Sequence, residues 1–496
     1  MSQPAQSGNL TGGQWFAGRG DGFVSTSPAD GSEVWSGQAS TPEDVAEATA
    51  AARNALPGWW DCPFEQRAGI VKSYADLVDQ RRQELAELIS HETGKPLWES
   101  KTEAGAVVAK AALTMEAIAE RRPPSSFPAG NATAVTRYKP FGVLGVLGPF
   151  NFPAHLANGH IIPALLSGNT VVFKPSEKSP AVGSWMIERW VEAGVPPGVI
   201  NLVQGERQTG EALADDPQLD GLLFTGSSHA GRILHERFAR WPHKMLALEM
   251  GGNNPLVVDQ VENMAAAAYE TVLSAYITAG QRCTCARRLI LTAGSRPDRF
   301  LEVLQETLQG VRGGLWTDRP EPFHGPVIDV AQADRLLEQQ DALREAGAVS
   351  LIPLRRDNQC PALLYPGLLD VTDVTDRSDE EMFGPVLQVI RVDSLDDAID
   401  EANNTRYGLS AGLLCDQRDC FDRFIHRIRA GVVNWNRQIT GASGKLAFGG
   451  CGLSGNNRPS GYFAIDYCNW PVASLEAAEL AWPETPLPGI DAPQPI

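Results

Sequence analysis

The residues with the plainest chemical potential lie in Gly280-Gln281-Arg282-Cys283-Thr284-Cys285. A thiol beside a guanidinium in a polar, glycine-containing loop has a route to a lowered pKa and to thiolate nucleophilicity, whereas a structural cysteine normally sits among apolar neighbours. In isolation the segment leaves both readings open. Leu248-Glu249-Met250-Gly251-Gly252-Asn253-Asn254-Pro255 sets a carboxylate at the end of an apolar run. Glu249 is then either a helix-cap or salt-bridge acid, or a general base if burial raises its pKa. Pro149-Phe150-Asn151-Phe152-Pro153 holds an amide between aromatics and prolines, suited to a turn or to a rigid donor for an oxyanion.

Two glycine-containing segments compete for a phosphate. In Phe224-Thr225-Gly226-Ser227-Ser228-His229-Ala230-Gly231 a strand ends in glycine and a helix begins, which leaves backbone N–H groups free to face an anion. Gly450-Cys451-Gly452-Leu453-Ser454-Gly455 has the dinucleotide-fingerprint spacing, but no strand leads into it and Asn456-Asn457-Arg458-Pro459 cannot open the required helix. It reads as a tight turn.

These groups need a scaffold, and the pattern from 143 to 250 supplies one. Short apolar runs at 143–147, 170–173, 200–203, 222–224 and 246–248 alternate with helices starting near Pro180, Gln208 and Ser228. Such alternation predicts a doubly wound parallel sheet with ligands at the strand C-terminal ends. Upstream, Thr41-Pro42 opens a helix to about Ala55, and a second helical region runs from Pro63 to Gly94. Beyond Gly252 a second α/β region extends to about Ala430 and closes in an apolar strand at 431–435. The segment 132–138 and the end of the chain after Ala464 have no helical period; both are expected as strands of a projecting arm that pairs with another subunit.

At 496 residues the chain is long enough for two to four units of roughly 100–200 residues. With 43% hydrophobic and 21% charged residues it is globular, neither disordered nor fibrous. The formal charge of −18 argues against nucleic acid and anionic membranes as partners, so an anionic substrate must meet a local basic pocket. No run approaches the roughly 18 apolar residues of a membrane span, and residues 1–11 lack the features of a signal peptide. A cytoplasmic protein is expected. Its eight cysteines match no zinc spacing, and no metal is expected.

Taken together and in order, these segments, with Phe173-Lys174-Pro175-Ser176-Glu177 and Glu381-Met382-Phe383-Gly384-Pro385, resemble the aldehyde dehydrogenase superfamily over nearly the whole chain. The resemblance implies an α/β fold with two doubly wound parallel-sheet domains and a small β oligomerisation arm. It places an NAD-binding domain at 1–122 and 142–252, a catalytic domain at 253–463, and the arm and tail at 123–141 and 464–496. By the same resemblance Cys283 is the nucleophile, Glu249 the general base, and Asn151 the oxyanion donor together with the Cys283 backbone N–H. Lys174 and Glu177 would meet the adenosine ribose of NAD and Gly226 and Ser227 its pyrophosphate region, with Ser228, His229, Ala230 and Gly231 completing that turn. Glu381 would meet the nicotinamide ribose, and Phe383 belongs to the same contact set.

Within the superfamily, 250–255, 280–288 and 455–468 are similar to the N-succinylglutamate 5-semialdehyde dehydrogenases of bacterial arginine catabolism. Two positions depart from the usual pattern: Ala447 stands where proline is common, and Gly461 where alanine is. The implied substrate is a small acidic aldehyde with two carboxylates, for which Arg282 and Arg458 are the candidate ligands because a guanidinium matches a carboxylate with two parallel hydrogen bonds. Arg282 has a second reading, as the cation that lowers the Cys283 pKa. The competing functions are a dehydrogenase for another acidic or phosphorylated aldehyde, and a catalytically silent binding protein with the same fold. A homodimer or larger homo-oligomer is implied.

Overall fold

Two seven-stranded sheets organise the chain, in a computed structural model that describes residues 8–492. The first runs, in spatial order, Met245–Met250, Gly221–Gly226, Val143–Leu147, Thr170–Lys174, Ile200–Leu202, Asn9–Thr11 and Gln14–Phe16. Its first five strands are parallel and the last two antiparallel. Strands buried on both faces read as continuous apolar runs, which is why the sequence located them to within a residue or two. The second sheet runs Val349–Ile352, Gly367–Asp370, Val386–Val392, Ala286–Thr292, Asn254–Val258, Ser410–Leu414 and Val432–Trp435, parallel except at Val349–Ile352. A three-stranded antiparallel sheet joins Ser125–Ala129, Ala132–Pro140 and Asn469–Glu476.

The helices depart from expectation in three places. The first covers Pro42–Asp61, capped by a reciprocal Thr41–Asp44 box. It continues past Pro57 because Trp59 is buried and donates its indole N–H to the Leu165 carbonyl at 3.1 Å. The stretch expected as one helical region from Pro63 to Gly94 is two helices, Phe64–Gln80 and Arg82–Thr93, broken at Arg81. After Gly94 a 25-residue helix, Leu97–Arg121, adds a long element for which the sequence pattern gave no clear signal. No helix among the described residues is long and apolar enough to cross a membrane.

The two large sheets meet through a short connection. Met245–Met250 ends at the edge of the first, Gly251, Gly252 and Asn253 turn the chain, and Asn254–Val258 begins the second. Glu249 therefore sits at the C-terminal edge of one sheet, while Cys283 precedes Ala286–Thr292 at the N-terminal edge of the other. The cleft between these edges is the natural place for a ligand.

Candidate active site

A cavity of about 1080 Å³ opens between the sheets, with Cys283, Glu249 and Asn151 in its wall. Cys283 is delivered by a turn in which three successive residues, Thr278, Ala279 and Gly280, have left-handed backbone (φ +58°, +50° and +69°). Two of these are not glycine, so the turn holds only because its surroundings over-determine it. Thr278 donates its hydroxyl to Glu99, and Arg282 donates through Nε to Thr278 Oγ1 at 2.7 Å and through Nη2 to Glu99 Oε1 at 2.8 Å. From the other side the Asn254 amide donates to the carbonyls of Cys283 at 2.7 Å and Cys285 at 2.9 Å. The fully buried Arg287 donates to the carbonyls of Gly280 at 2.6 Å and Arg282 at 3.0 Å.

Asn151 is held in register with this turn, its Nδ2 donating to the Gln281 carbonyl at 2.9 Å. One of its two amide N–H bonds is used there, which leaves a second for an oxygen in the cavity. Glu249 is buried and strapped from outside its sheet: Asn456 accepts from the Leu248 N–H and donates to the Leu246 carbonyl, both at 2.9 Å, and Gly455 bridges Glu249 itself. The segment expected as a tight turn, together with Asn456 after it, thus clamps the strand that carries the acid. Burial pushes the Glu249 carboxyl well above the usual range, with Ser460 hydrogen bonds opposing. That is the direction a general base needs.

The thiol departs from expectation. Burial raises the Cys283 pKa, and the Glu381 and Glu249 carboxylates raise it further. The guanidinium that opposes them is that of Arg287, and Arg282 is engaged with Glu99. Proximity in sequence did not reveal which arginine would face the sulfur.

The helix Ser228–Phe238 opens on the cavity, capped by Ser227, whose hydroxyl accepts from the Ala230 N–H at 3.2 Å. Gly226, Ser227, Ser228, His229 and Ala230 all line the cavity. Gly231 instead packs the helix on its strand, since a Cβ there would lie 2.1 Å from Met250 Sδ. Glu381 and Phe383 line the same end; a side chain at Gly251 would strike Glu381, so the glycine permits this approach. Arg287 Nη2 holds Glu381 Oε1 at 3.1 Å. Lys174 is buried, donates to the Pro175 carbonyl at 2.8 Å and stands 4.0 Å from Glu177; Ser176 between them reaches the cavity wall, whereas Lys174 and Glu177 do not line it. A helix N-terminus with small residues at one place and a buried acid at another fits a dinucleotide stretched between them.

Arg458 does not join these groups. The loop turns its Asn456 and Ser460 inward, and Arg458 is exposed and off the cavity wall. The two unusual positions pair with each other, Ala447–Phe448 lying antiparallel to Ser460–Gly461. Gly461 has φ +70° and a Cβ there would lie 2.7 Å from the Leu446 carbonyl oxygen, so this backbone requires glycine.

The sequence profile of the aldehyde dehydrogenase family matches residues 15–470. The chain belongs to the aldehyde dehydrogenase family. It is 50% identical, over 96% of this chain and 98% of the other, to an N-succinylglutamate 5-semialdehyde dehydrogenase from Pseudomonas fluorescens. Among solved structures it is similar to 1-pyrroline-5-carboxylate dehydrogenase from Thermus with bound NAD (28% identity, 95% of this chain and 93% of that one, TM-score 0.90). It is also similar to the NADP-dependent glyceraldehyde-3-phosphate dehydrogenase from Bacillus halodurans complexed with NADP (28% identity, 95% and 99% coverage, TM-score 0.89). For an aldehyde dehydrogenase the groups that sequence motifs did not reveal are the supports: Glu99, Asn254, Arg287 and Asn456. Asn254 lies five residues after Glu249 in the same short motif, which gives it no role of its own; Glu99 lies on the helix Leu97–Arg121, which the pattern does not mark.

Proposed function

We propose that this aldehyde dehydrogenase oxidises N-succinylglutamate 5-semialdehyde to N-succinylglutamate, with NAD as acceptor, through a thioester on Cys283. The observation that carries the substrate is the 50% identity over 96% of the chain to a relative of that name.

The chain's residues divide the work. Cys283, whose thiol burial and the nearby carboxylates keep protonated, gives its proton to water in the cavity and attacks the aldehyde carbon as the thiolate; the oxygen that gains charge accepts hydrogen bonds from Asn151 Nδ2 and the Cys283 N–H, a contact whose loss typically costs about 3–4 kcal/mol in the transition state. The chemistry NAD supplies when bound is acceptance of the hydride released from the tetrahedral adduct. Collapse leaves the acyl group on sulfur. Glu249 takes a proton from water as the water oxygen attacks the thioester carbon, and the thiolate departs as the leaving group. Gly226 and Ser227 through Ala230 would cradle the pyrophosphate, with Gly231 holding their helix on its strand; Lys174 and Glu177, flanking the cavity-lining Ser176, would meet the adenosine ribose, and Glu381 and Phe383 the nicotinamide end. The Glu177 carboxylate accepts from a ribose 2′-OH and repels a 2′-phosphate, which favours NAD over NADP.

In this reading residues 1–122 and 142–252 bind cofactor and 253–463 carry the catalysis. Residues 123–141 and 464–496 make up the arm and tail, and the arm joins subunits of a homodimer or larger homo-oligomer; the exposed apolar side chains of Phe127, Trp470 and Leu475 on it support that role. The test is kcat/KM across a panel of acidic semialdehydes with both cofactors. N-succinylglutamate 5-semialdehyde with NAD is expected to lead; a higher value for a smaller acid semialdehyde or a phosphorylated aldehyde would overturn the proposal.

A further inference from the structure

One wall of the cavity is a face of the helix Leu97–Arg121, with Glu99, Glu103, Ala106, Lys110 and Leu113 recurring at three- and four-residue spacing. The cations along this wall differ in what they hold. Lys95 is ion-paired with Glu103, and Arg282 with Glu99. Lys110 is buried, yet none of the ion pairs among the described residues includes it; its Nζ donates to the Gly461 carbonyl at 2.7 Å. An ammonium has three donors, so two remain.

Beside it runs the helix His155–Leu166, tied to the first by the His155 N–H on Glu103 Oε1 at 3.1 Å and by the Asn158 amide on the Val107 carbonyl at 3.4 Å. His155 also lines the cavity, and its Nδ1 is buried without a hydrogen-bond partner. A buried ammonium without an acid, next to a buried ring nitrogen without a partner, is a costly arrangement for a folded protein and a ready one for an anion.

We propose that Lys110, with Nδ1 of His155 beside it, forms the subsite that binds a carboxylate of the substrate. The inference rests on the reading of that substrate as an acidic semialdehyde. A carboxylate there would accept the two remaining Lys110 N–H bonds and, with the His155 proton on Nδ1, a third. The electrostatics agree: burial lowers Lys110 to about 8, and His155 is held near 4 by burial and by the charges of Lys110, Lys95 and Arg282. Lys95 and Arg282 have their counter-ions in Glu103 and Glu99, so the charge left uncompensated on this wall is that of Lys110, in a protein whose overall charge is −18. Gly461, required by its backbone, supplies the carbonyl that aims the ammonium.

The test substitutes Lys110→Gln, which keeps a donor for the Gly461 carbonyl and removes the charge, with Lys110→Arg as the conservative partner. NAD affinity, read by fluorescence titration, serves as the check on folding. In Lys110→Gln, kcat/KM for N-succinylglutamate 5-semialdehyde is expected to fall about 10- to 100-fold more than kcat/KM for hexanal, the range of a charge-assisted hydrogen bond, and Lys110→Arg to restore most of it. Equal losses on the two aldehydes, or no loss on either, would overturn the subsite. Product inhibition by N-succinylglutamate gives the second reading: its inhibition constant should rise by a similar factor in Lys110→Gln, and an unchanged constant also counts against the subsite. If the wild-type enzyme instead prefers a different acidic aldehyde, the substrate assignment fails while a selective loss on that acid in Lys110→Gln still supports the subsite.

Discussion

Arg282 Nη2 donates to Glu99 Oε1 at 2.8 Å, so the guanidinium adjoining Cys283 in sequence is bound to an acid 183 residues away. Glu99 is almost completely buried, and the same acid accepts from Thr278 in the left-handed turn before Cys283. The pair fixes the turn, and the turn fixes the sulfur.

Replacing Arg282 by Met should therefore act through structure. It leaves Glu99 as a buried charge without its partner, at a cost of about 3 kcal/mol in unfolding free energy. Turnover of acidic and neutral aldehydes should fall together. Urea unfolding and kinetics on the two aldehydes test this. A loss confined to the acidic substrate at unchanged stability would return Arg282 to the carboxylate site.

Cys283→Ala should abolish turnover and leave NAD binding nearly intact, because no neighbouring group replaces the covalent bond. Cys285 is fully buried with its carbonyl held by Asn254. Cys285→Ala should keep activity and lose about 1 kcal/mol of stability. Normal rates in Cys283→Ala with loss in Cys285→Ala would reverse the assignment.

Much of this site was legible because its pieces are local. Parallel strands buried on both faces show as apolar runs, and the residues at their C-terminal ends, Asn151 and Glu249 among them, could be named from short motifs. The supports were not legible, because each is a polar side chain whose partner is set by the fold: Glu99 meets Thr278 and Arg282 across 179 and 183 residues, while Asn254, Arg287 and Asn456 hold backbone groups that no short motif marks. The helix Leu97–Arg121 shows why: Glu99, Glu103 and Lys110 are charged but buried, so its inward face has no clear apolar stripe, and no side chain caps its N-terminus. The electrostatics of the thiol are hidden from the sequence for a related reason. Adjacent sequence offered an arginine, whereas the fold brings two carboxylates, Glu381 and Glu249, near the sulfur.

Cofactor choice should turn on Glu177. Removing its charge in Glu177→Gln relieves repulsion of a 2′-phosphate, and kcat/KM with NADP should rise by about tenfold relative to NAD. An unchanged ratio, or comparable use of both cofactors by the wild-type enzyme, would show that the discrimination lies elsewhere.

The pH profile follows from Glu249. Burial raises its pKa, so on the acid side the carboxyl is protonated and cannot take a proton from water. When thioester hydrolysis limits the rate, kcat should climb as pH rises through that raised value. A kcat that instead falls as pH rises would place the base elsewhere.

The division of labour between Cys283 and Glu249 is tested most directly by stopped-flow absorbance of Glu249→Gln mixed with NAD and N-succinylglutamate 5-semialdehyde. A general base for the second half-reaction only predicts a rapid burst of about one NADH per active site, followed by very slow turnover as the thioester accumulates. Loss of the burst itself would contradict that account and make Glu249 the group that activates the thiol.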